Sequence, residues 1–200
     1  MHIWDRFEQV EPKPGRWPRD LTNSSRNDLA AEFALQGYKV GVEIGVEQGK
    51  FSEVLLTTIP GLRLTCVDAW TAYRGYRDHV SQTKMDGFYE DAKKRLLPLG
   101  ATIVRKFSMD AVKEFRPNTL DFVYIDGNHG FDWVMQDLIE WSRRVRSGGM
   151  VAGHDYIRRL REPVHVIQAT HAYTDAHGIT EWWTCGGQNK ETRSFFWVKP

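Results

Sequence analysis

Residues 40–52 read VGVEIGVEQGKFS, and the rest of the chain is arranged around them. A short apolar run containing Glu43 crosses Gly45 and Gly49 and enters a helical pattern of apolar residues. This order predicts a buried strand, a tight glycine turn and a helix N-terminus. Because helix N-termini present free N–H groups and partial positive charge, the turn can hold a polar or anionic ligand group against bare backbone.

Strand and helix patterns alternate on both sides of this turn. We predict strands at 40–44, 63–67, 102–106, 120–125 and 150–155, and helices at 26–36, 50–59, 83–97, 110–115, 131–145 and 162–177. Two further strands, at about 180–184 and 195–198, close the chain. The alternation predicts an α/β fold with a doubly wound, mostly parallel, seven-stranded Rossmann-like sheet and a C-terminal antiparallel hairpin. We expect an irregular N-terminal arm at 1–25 and one domain at 26–200.

The composition is that of a globular protein. The chain has 200 residues, 41% of them hydrophobic, and a formal net charge of +1, which favours neither nucleic acid nor a membrane surface as a partner. No apolar run reaches the roughly 20 residues of a membrane helix. The first residues lack the order of a secretion signal, and there are only two cysteines. We therefore expect a cytoplasmic protein; whether it forms a homo-oligomer stays open.

Four acidic residues fall within or at the ends of predicted strands: Glu43, Asp68, Asp126 and Asp155. Carboxyl ends of parallel strands meet at one edge of the sheet, where ligands bind. Asp68 follows the glycine turn by roughly 20 residues, the spacing at which an acid binds ribose hydroxyls.

The spacing of the glycines argues against a phosphate-bearing cofactor. It does not match G-x-G-x-x-G, and Glu47 would place negative charge beside a pyrophosphate. Lys50 is followed by Phe51, so a P-loop is also excluded. A cofactor without phosphate fits better. S-adenosylmethionine (SAM) offers a sulfonium, an ammonium, a ribose and one carboxylate for the helix N-terminus.

Three segments resemble motifs of the class I SAM-dependent methyltransferases. Residues 42–49 (VEIGVEQG) resemble the first motif, with Glu47 replacing its middle glycine, and residues 67–70 (VDAW) resemble the second acidic motif. Residues 106–110 (KFSMD) are similar to the segment that flanks the adenine. The resemblance implies SAM as cofactor, bound by Glu43, Gly45, Val46, Glu47, Gly49, Ser52, Asp68, Ala69, Trp70, Ser108, Met109 and Asp126.

Two further loops carry groups that suit catalysis. IDGNH (125–129) and AGHDY (152–156) follow neighbouring predicted strands. Carboxylates and an imidazole that converge there can hold a divalent cation, which would lower the pKa of a substrate hydroxyl. His129, with an ordinary pKa of about 6.5, suits a general base, with Asp126 as its catalytic partner.

These loops resemble the metal-assisted O-methyltransferases, the branch of catechol O-methyltransferase and the macrocin- and cephalosporin-type enzymes. The resemblance implies Asp126 and Asp155 as metal ligands, with His154 where an acid is usual and His129 in the base position. An imidazole ligand would shift the preference from magnesium toward manganese, iron or zinc.

The predicted function is methyl transfer from SAM to a hydroxyl of a small molecule or sugar. Three alternatives stay open: a metal-free N- or O-methyltransferase, an NAD-binding oxidoreductase, and a non-catalytic module that binds a nucleoside ligand. A lid at residues 70–79 is a further hypothesis. Anion binding by Arg158, Arg159 and Arg161 is another.

Overall fold

The computed structural model describes residues 2–11, 17–73, 81–158, 164–187 and 192–200. Within those ranges nine strands form one mixed sheet. They are β1 (Gln9–Val10), β2 (Arg19–Leu21), β3 (Val40–Ile44), β4 (Arg63–Asp68), β5 (Thr102–Arg105), β6 (Leu120–Ile125), β7 (Val145–Gly153), β8 (Trp183–Gly186) and β9 (Arg193–Val198). Their order across the sheet is β1-β2-β8-β9-β7-β6-β3-β4-β5.

The sheet confirms the predicted topology. Strands β5, β4, β3, β6 and β7 pair in parallel, and β9 pairs antiparallel with both β7 and β8. These seven strands are the predicted parallel core with its closing hairpin. The carboxyl ends of β3, β4, β6 and β7 therefore meet at one edge, where the acidic residues were expected to gather.

Helices cover both faces of the sheet, so the fold is doubly wound. They are α1 (Ile3–Arg6), α2 (Arg26–Leu35), α3 (Lys50–Thr58), α4 (Gln82–Leu96), α5 (Ser108–Ala111), α6 (Phe131–Ser142) and α7 (Val166–Ala176). Helices α2–α4 pack on one side with Phe122 and Tyr124, while α6 and α7 pack on the other with Val123 and Ile125. Among the described residues we find no helix with the length and apolarity needed to cross a bilayer.

The junction of α6 and β7 differs from the prediction. The helix predicted to reach residue 145 ends at Ser142, and the strand predicted from residue 150 begins at Val145. The carbonyl of Arg144 accepts the N–H groups of Thr119 and Leu120, so pairing with β6 overrides the local helical pattern. The register of β6 against β7 then shifts between Leu120 and Phe122. Residues 146–149 of β7 bulge out of the pairing there. Residues 162–163 of the predicted last helix lie outside the described residues.

The N-terminal arm is more ordered than the irregular segment expected. Strand β2 adds in parallel to β8, and β1 pairs antiparallel with β2. The buried carboxylate of Glu32 on α2 lies 3.1 Å from His2 and 3.3 Å from Arg6, which ties α1 to the domain. Trp4 stacks on Trp183 with 4.3 Å between ring centroids. The assignment of 26–200 as a single domain stays a prediction.

Candidate active site

The turn after β3 can be made only with glycine. Gly45 has a φ of +83°, and a Cβ atom there would lie 2.0 Å from the carbonyl oxygen of Asp126. Its N–H donates to the carbonyl of Val67 at 2.9 Å. The turn is therefore in backbone contact with the end of β4 and with the loop after β6.

Asp68 holds this turn with its carboxylate. Oδ2 accepts the N–H groups of Val46 and Glu47 at 2.9 and 3.0 Å, and Oδ1 accepts that of Trp70 at 2.8 Å. Burial raises the pKa of Asp68, and these three bonds oppose the shift. The indole of Trp70 donates to the carbonyl of Glu47 at 2.8 Å and so provides a further hydrogen bond to the turn.

Glu43 lies inside the protein beneath the turn. Its carboxylate accepts a hydrogen bond from the buried hydroxyl of Ser52. Burial raises the pKa of Glu43 to about 8, against the lowering effect of that bond. Glu43 is therefore mainly protonated at neutral pH.

A narrow slot of about 60 Å³ begins at the turn and runs between the ends of β3 and β4 and the loop after β5. Deep in the slot, the hydroxyl of Ser108 donates to Asp137 and accepts from the indole of Trp141. Burial raises the pKa of Asp137 to about 7, with the Ser108 bond opposing. Sequence reasoning missed Asp137; its one signal was a carboxylate placed among the apolar residues of the predicted α6.

Aromatic rings stand at the rim of the slot. Tyr73 lies 5.4 Å from both Phe107 and Trp133, measured between ring centroids, and its hydroxyl accepts from the Asn128 amide at 3.0 Å. These residues were also missed as site residues, apart from Tyr73 in the predicted lid. Residues 74–79 of that lid lie outside the described residues, as do Arg159 and Arg161.

A wide cavity of about 280 Å³ adjoins the slot and shares Gly45, Asp68 and Gly127 with it, so the two form one cleft. Most predicted cofactor residues line this cleft, namely Glu43, Gly45, Val46, Glu47, Asp68, Ala69, Ser108 and Asp126. The others predicted, Gly49, Ser52, Trp70 and Met109, are not in its lining. Ser52 and Trp70 instead support residues that line it.

Asp126, His129 and Asp155 form a cluster on the wall of the wide cavity. Their nearest donor atoms all lie within 4.8 Å of one another, and His129 Nε2 is 2.8 Å from Asp155 Oδ2 and 3.9 Å from Asp126 Oδ1. Burial would lower the pKa of His129, but the two carboxylates outweigh it and raise the pKa to about 10. Burial likewise opposes a lower pKa of Asp155, which His129 and Thr192 nevertheless hold well below its ordinary value.

His154 lies next to this cluster but is turned toward hydroxyl groups. Its Nδ1 is 2.9 Å from Ser194 Oγ, and its Nε2 is 2.8 Å from Thr192 Oγ1, which donates to Asp155 at 2.6 Å. The prediction grouped His154 with the two carboxylates as a metal ligand. The structure groups His129 with them instead, and His154 supports Asp155 through Thr192.

Two residues that line the cleft, and Trp70 beside it, have strained backbones. Glu47, Trp70 and Asp155 have φ values of +51°, +41° and +53°. Non-glycine residues adopt such values at a cost of about 1–3 kcal/mol, and they gather at functional sites. The strain therefore marks the same edge of the sheet as the acidic residues do.

Comparison with known proteins identifies the family. Residues 42–156 match the model of a family described as a methyltransferase domain. No curated protein matches the chain.

Similar solved structures include an O-methyltransferase from Bacillus cereus in complex with S-adenosylhomocysteine (SAH), with 14% identity, a TM-score of 0.62 and coverage of 95% of this chain and 82% of that one. TomG from Streptomyces achromogenes, an O-methyltransferase of tomaymycin synthesis in complex with SAM, has 16% identity, a TM-score of 0.58 and coverage of 90% and 84%.

A precorrin-6y C5,15-methyltransferase from Geobacter metallireducens is also similar, with 17% identity, a TM-score of 0.57 and coverage of 98% and 96%. At these identities the structures share a fold with this chain and nothing finer. The oxidoreductase alternative is not supported, because the family model covers the glycine turn and both acidic loops. The chain belongs to the methyltransferase-domain family and has its Rossmann-like fold.

Proposed function

We propose that this protein transfers a methyl group from SAM to a hydroxyl of a small-molecule or sugar acceptor, with a divalent cation bound by Asp126, His129 and Asp155. One observation carries the proposal: this donor cluster lies on the wall of a cavity that is continuous with the narrow slot. The SAM and SAH complexes of proteins with the same fold support a cofactor in that slot.

The lining of the cleft suits SAM. Three backbone N–H groups occupy the Asp68 carboxylate, which has about four acceptor positions, so one is left for a ribose hydroxyl. Ser108 and Asp137 offer polar groups to an adenine edge deep in the slot. Glu47 and Asp126 suit the sulfonium and ammonium groups.

The cluster suits a divalent cation. One imidazole and two carboxylates form a mixed donor set, which favours manganese, iron or zinc over magnesium. When bound, the cation would lower the pKa of an acceptor hydroxyl. Thr192 and His154 keep the Asp155 carboxylate in place. The cleft holds the hydroxyl close to the methyl group, and this proximity supplies much of the rate.

His129 cannot serve as ligand and as general base through the same nitrogen. In the cation-free protein its pKa of about 10 leaves the ring protonated at neutral pH, and a protonated ring accepts no proton. We therefore favour the ligand role, in which the cation takes the place of the proton. The predicted base role remains the alternative, and it requires a rate that rises with pH toward 10.

Metal-free N- or O-methyl transfer is the second candidate function. It is favoured by the 2.8 Å contact between His129 and Asp155, because the two residues balance each other's charge without a cation. In this case Asp126 and His129 would carry out the acid–base chemistry alone.

Manganese binding tests the cation site. Titration of Mn²⁺, followed by electron paramagnetic resonance, should detect one site in the wild type and at least about 10- to 100-fold weaker binding in Asp155→Asn. Asp132→Asn is the matched control, because Asp132 is an exposed carboxylate in the first turn of α6. It should bind Mn²⁺ as the wild type does.

Methyl transfer tests the reaction. Labelled SAM would be incubated with a panel of catechols, sugars and amines, with and without chelator. We expect transfer to oxygen that chelator abolishes and Mn²⁺ restores. Turnover that is insensitive to chelator would reject the cation, and label found only on nitrogen would reject the hydroxyl acceptor.

A further inference from the structure

Two basic side chains line the wide cavity outside the catalytic cluster. Arg26 is the first residue of α2, and Lys50 is the first residue of α3. Among the residues that the structure describes, neither forms a salt bridge. The cavity wall thus carries two cationic groups outside any salt bridge in the described part of the chain, and Arg26 lies near enough to Glu43 to oppose the rise of its pKa.

Arg26 is held in place by its surroundings. Ser25 caps α2, and its N–H donates to the carboxylate of Asp28 at 2.9 Å in a capping box. The guanidinium carbon lies 5.0 Å from the ring centroid of Phe51, which packs 4.4 Å from the ring of Tyr124 in the core. A guanidinium stacked on an aromatic face can still donate hydrogen bonds to a ligand, because its N–H groups point outward in the plane of the group.

The charges of SAM and of the cavity complement each other. SAM has two cationic groups, the sulfonium and the ammonium, and one anionic group, the carboxylate. Of the acidic residues that line the cavity, Glu47 and Asp126 suit the two cations, because Glu43 is mainly protonated and Asp68 accepts three backbone N–H groups. His129 already contacts Asp155. Arg26 and Lys50 are left as partners for the carboxylate.

We propose that Arg26, assisted by Lys50, binds the carboxylate of the methionine half of SAM and so selects the complete cofactor over nucleosides that lack the amino-acid group. The planar guanidinium can hold a carboxylate through two parallel hydrogen bonds. Arg26 lies outside residues 42–156, so the segment before the family match contributes it. The inference rests on the proposed function for the cofactor alone; it needs neither the cation nor the acceptor.

Calorimetric titration of two ligands tests the inference. SAH carries the amino-acid group, and methylthioadenosine is the nucleoside without it. Arg26→Met should weaken SAH binding by about 10- to 100-fold and leave methylthioadenosine unchanged. Arg26→Lys keeps the charge and should lose less. Lys50→Met should also weaken SAH alone, to a smaller extent.

Arg63→Met is the matched control, because Arg63 is exposed at the start of β4, the end of that strand away from Asp68. Its binding of both ligands should equal that of the wild type. The inference is overturned if Arg26→Met binds SAH as the wild type does, or loses both ligands equally, which would indicate damage to the fold. A wild type that bound neither ligand would overturn the cofactor assignment as well. Chelator-insensitive or nitrogen-directed transfer would overturn only the proposed function.

Discussion

The two ends of the cleft are stabilised in different ways. At the glycine turn, the Asp68 carboxylate is bound by three backbone N–H groups, and Gly45 touches the backbone of the loop after β6. At the catalytic cluster, His129 is held between two carboxylates. The turn thus depends on backbone geometry, while the cluster depends on charges that a proton or a cation can change.

The two ends of the cleft should therefore respond differently to ligands and to pH. Backbone hydrogen bonds fix the glycine turn without a ligand, so a ligand that bound there would need little rearrangement of the protein. At the charged end, the two carboxylates raise the pKa of His129, so the charge of this end depends on pH. Changes to the turn should therefore alter stability at every pH, and changes to the cluster should alter its dependence on pH.

Gly45→Ala should have the largest effect. The new methyl group would meet the Asp126 carbonyl at 2.0 Å in a backbone with positive φ, so we expect a loss of about 2–6 kcal/mol in the free energy of unfolding. Urea denaturation measures it. Gly37→Ala is the control: φ is +72° with nothing within 4 Å, and the loss should be about 1 kcal/mol. Equal losses would show that the contact with the Asp126 loop is unimportant.

Asp68→Asn should come next. The amide offers one acceptor oxygen where the carboxylate accepted three N–H groups, so we expect a loss of about 2–3 kcal/mol in unfolding free energy. Asp91→Asn is the control, because Asp91 is exposed and, within the described ranges, accepts only the side chain of Gln48, from the same turn. It should change stability by less than about 0.5 kcal/mol. A small loss of unfolding free energy in Asp68→Asn would mean that the turn is stable without the carboxylate of Asp68.

The pH dependence of stability probes the charged end. The folded pKa of His129, about 10, lies above its unfolded value of about 6.5. Its contribution is therefore complete below pH 6.5 and is lost as the pH rises toward 10, at no more than about 1.4 kcal/mol per pH unit. The lowered pKa of Asp155 gives the opposite sign, with a contribution present above about pH 3.8 and lost in acid.

Urea denaturation of the cation-free protein between pH 6 and 9 measures this decline. His129→Gln should remove the part of the decline that His129 causes. The difference between the two curves gives the contribution of His129 alone, because Glu43 contributes equally to both proteins. Saturating Mn²⁺ should also flatten the wild-type curve. Parallel curves for the two proteins would contradict the raised pKa.

Glu43→Gln should have the smallest effect. At pH 4, below the unfolded pKa of about 4.5, Glu43 is protonated in both the folded and the unfolded protein and resembles glutamine, so we expect a change below about 0.5 kcal/mol there. Ser52→Ala removes the hydrogen bond instead and should lose about 1 kcal/mol. At pH 9 the glutamine variant should be the more stable protein, since it has no carboxyl to ionise. A large loss at pH 4 would indicate that the Glu43 carboxyl makes contacts that the glutamine amide cannot make.

Local patterns predicted the glycine turn and its contact with Asp68 well. The strand, the glycines and Asp68 are specified by residues near one another in sequence, and the edge where Asp126 and Asp155 meet follows from parallel pairing. The choice between His129 and His154 could not be predicted. It depends on the pairing of β7 with β9, which brings Ser194 and Thr192 to the His154 ring.

The contributions of distant segments to the cavity and to the sheet could not be predicted either. Arg26 reaches the cavity because α2 packs beside α3, and no local motif around Arg26 signals that contact. The three residues of β2 form a strand only because β8, far along the chain, offers its edge. Pairing between remote segments decides such details, and a pattern read along the chain does not contain them.

The strands of the arm also limit how the protein meets other copies of itself. In the described ranges the sheet is bounded by β1, of two residues, and by β5, of four residues, which carries Arg105. Edges this short offer few free N–H and C=O groups to a neighbouring chain. Without β1 and β2, the free edge would be β8, which carries Trp183 and Cys185. The arm thus covers the edge of β8, where Trp183 and Cys185 are buried, and leaves the two-residue strand β1 as the edge on that side.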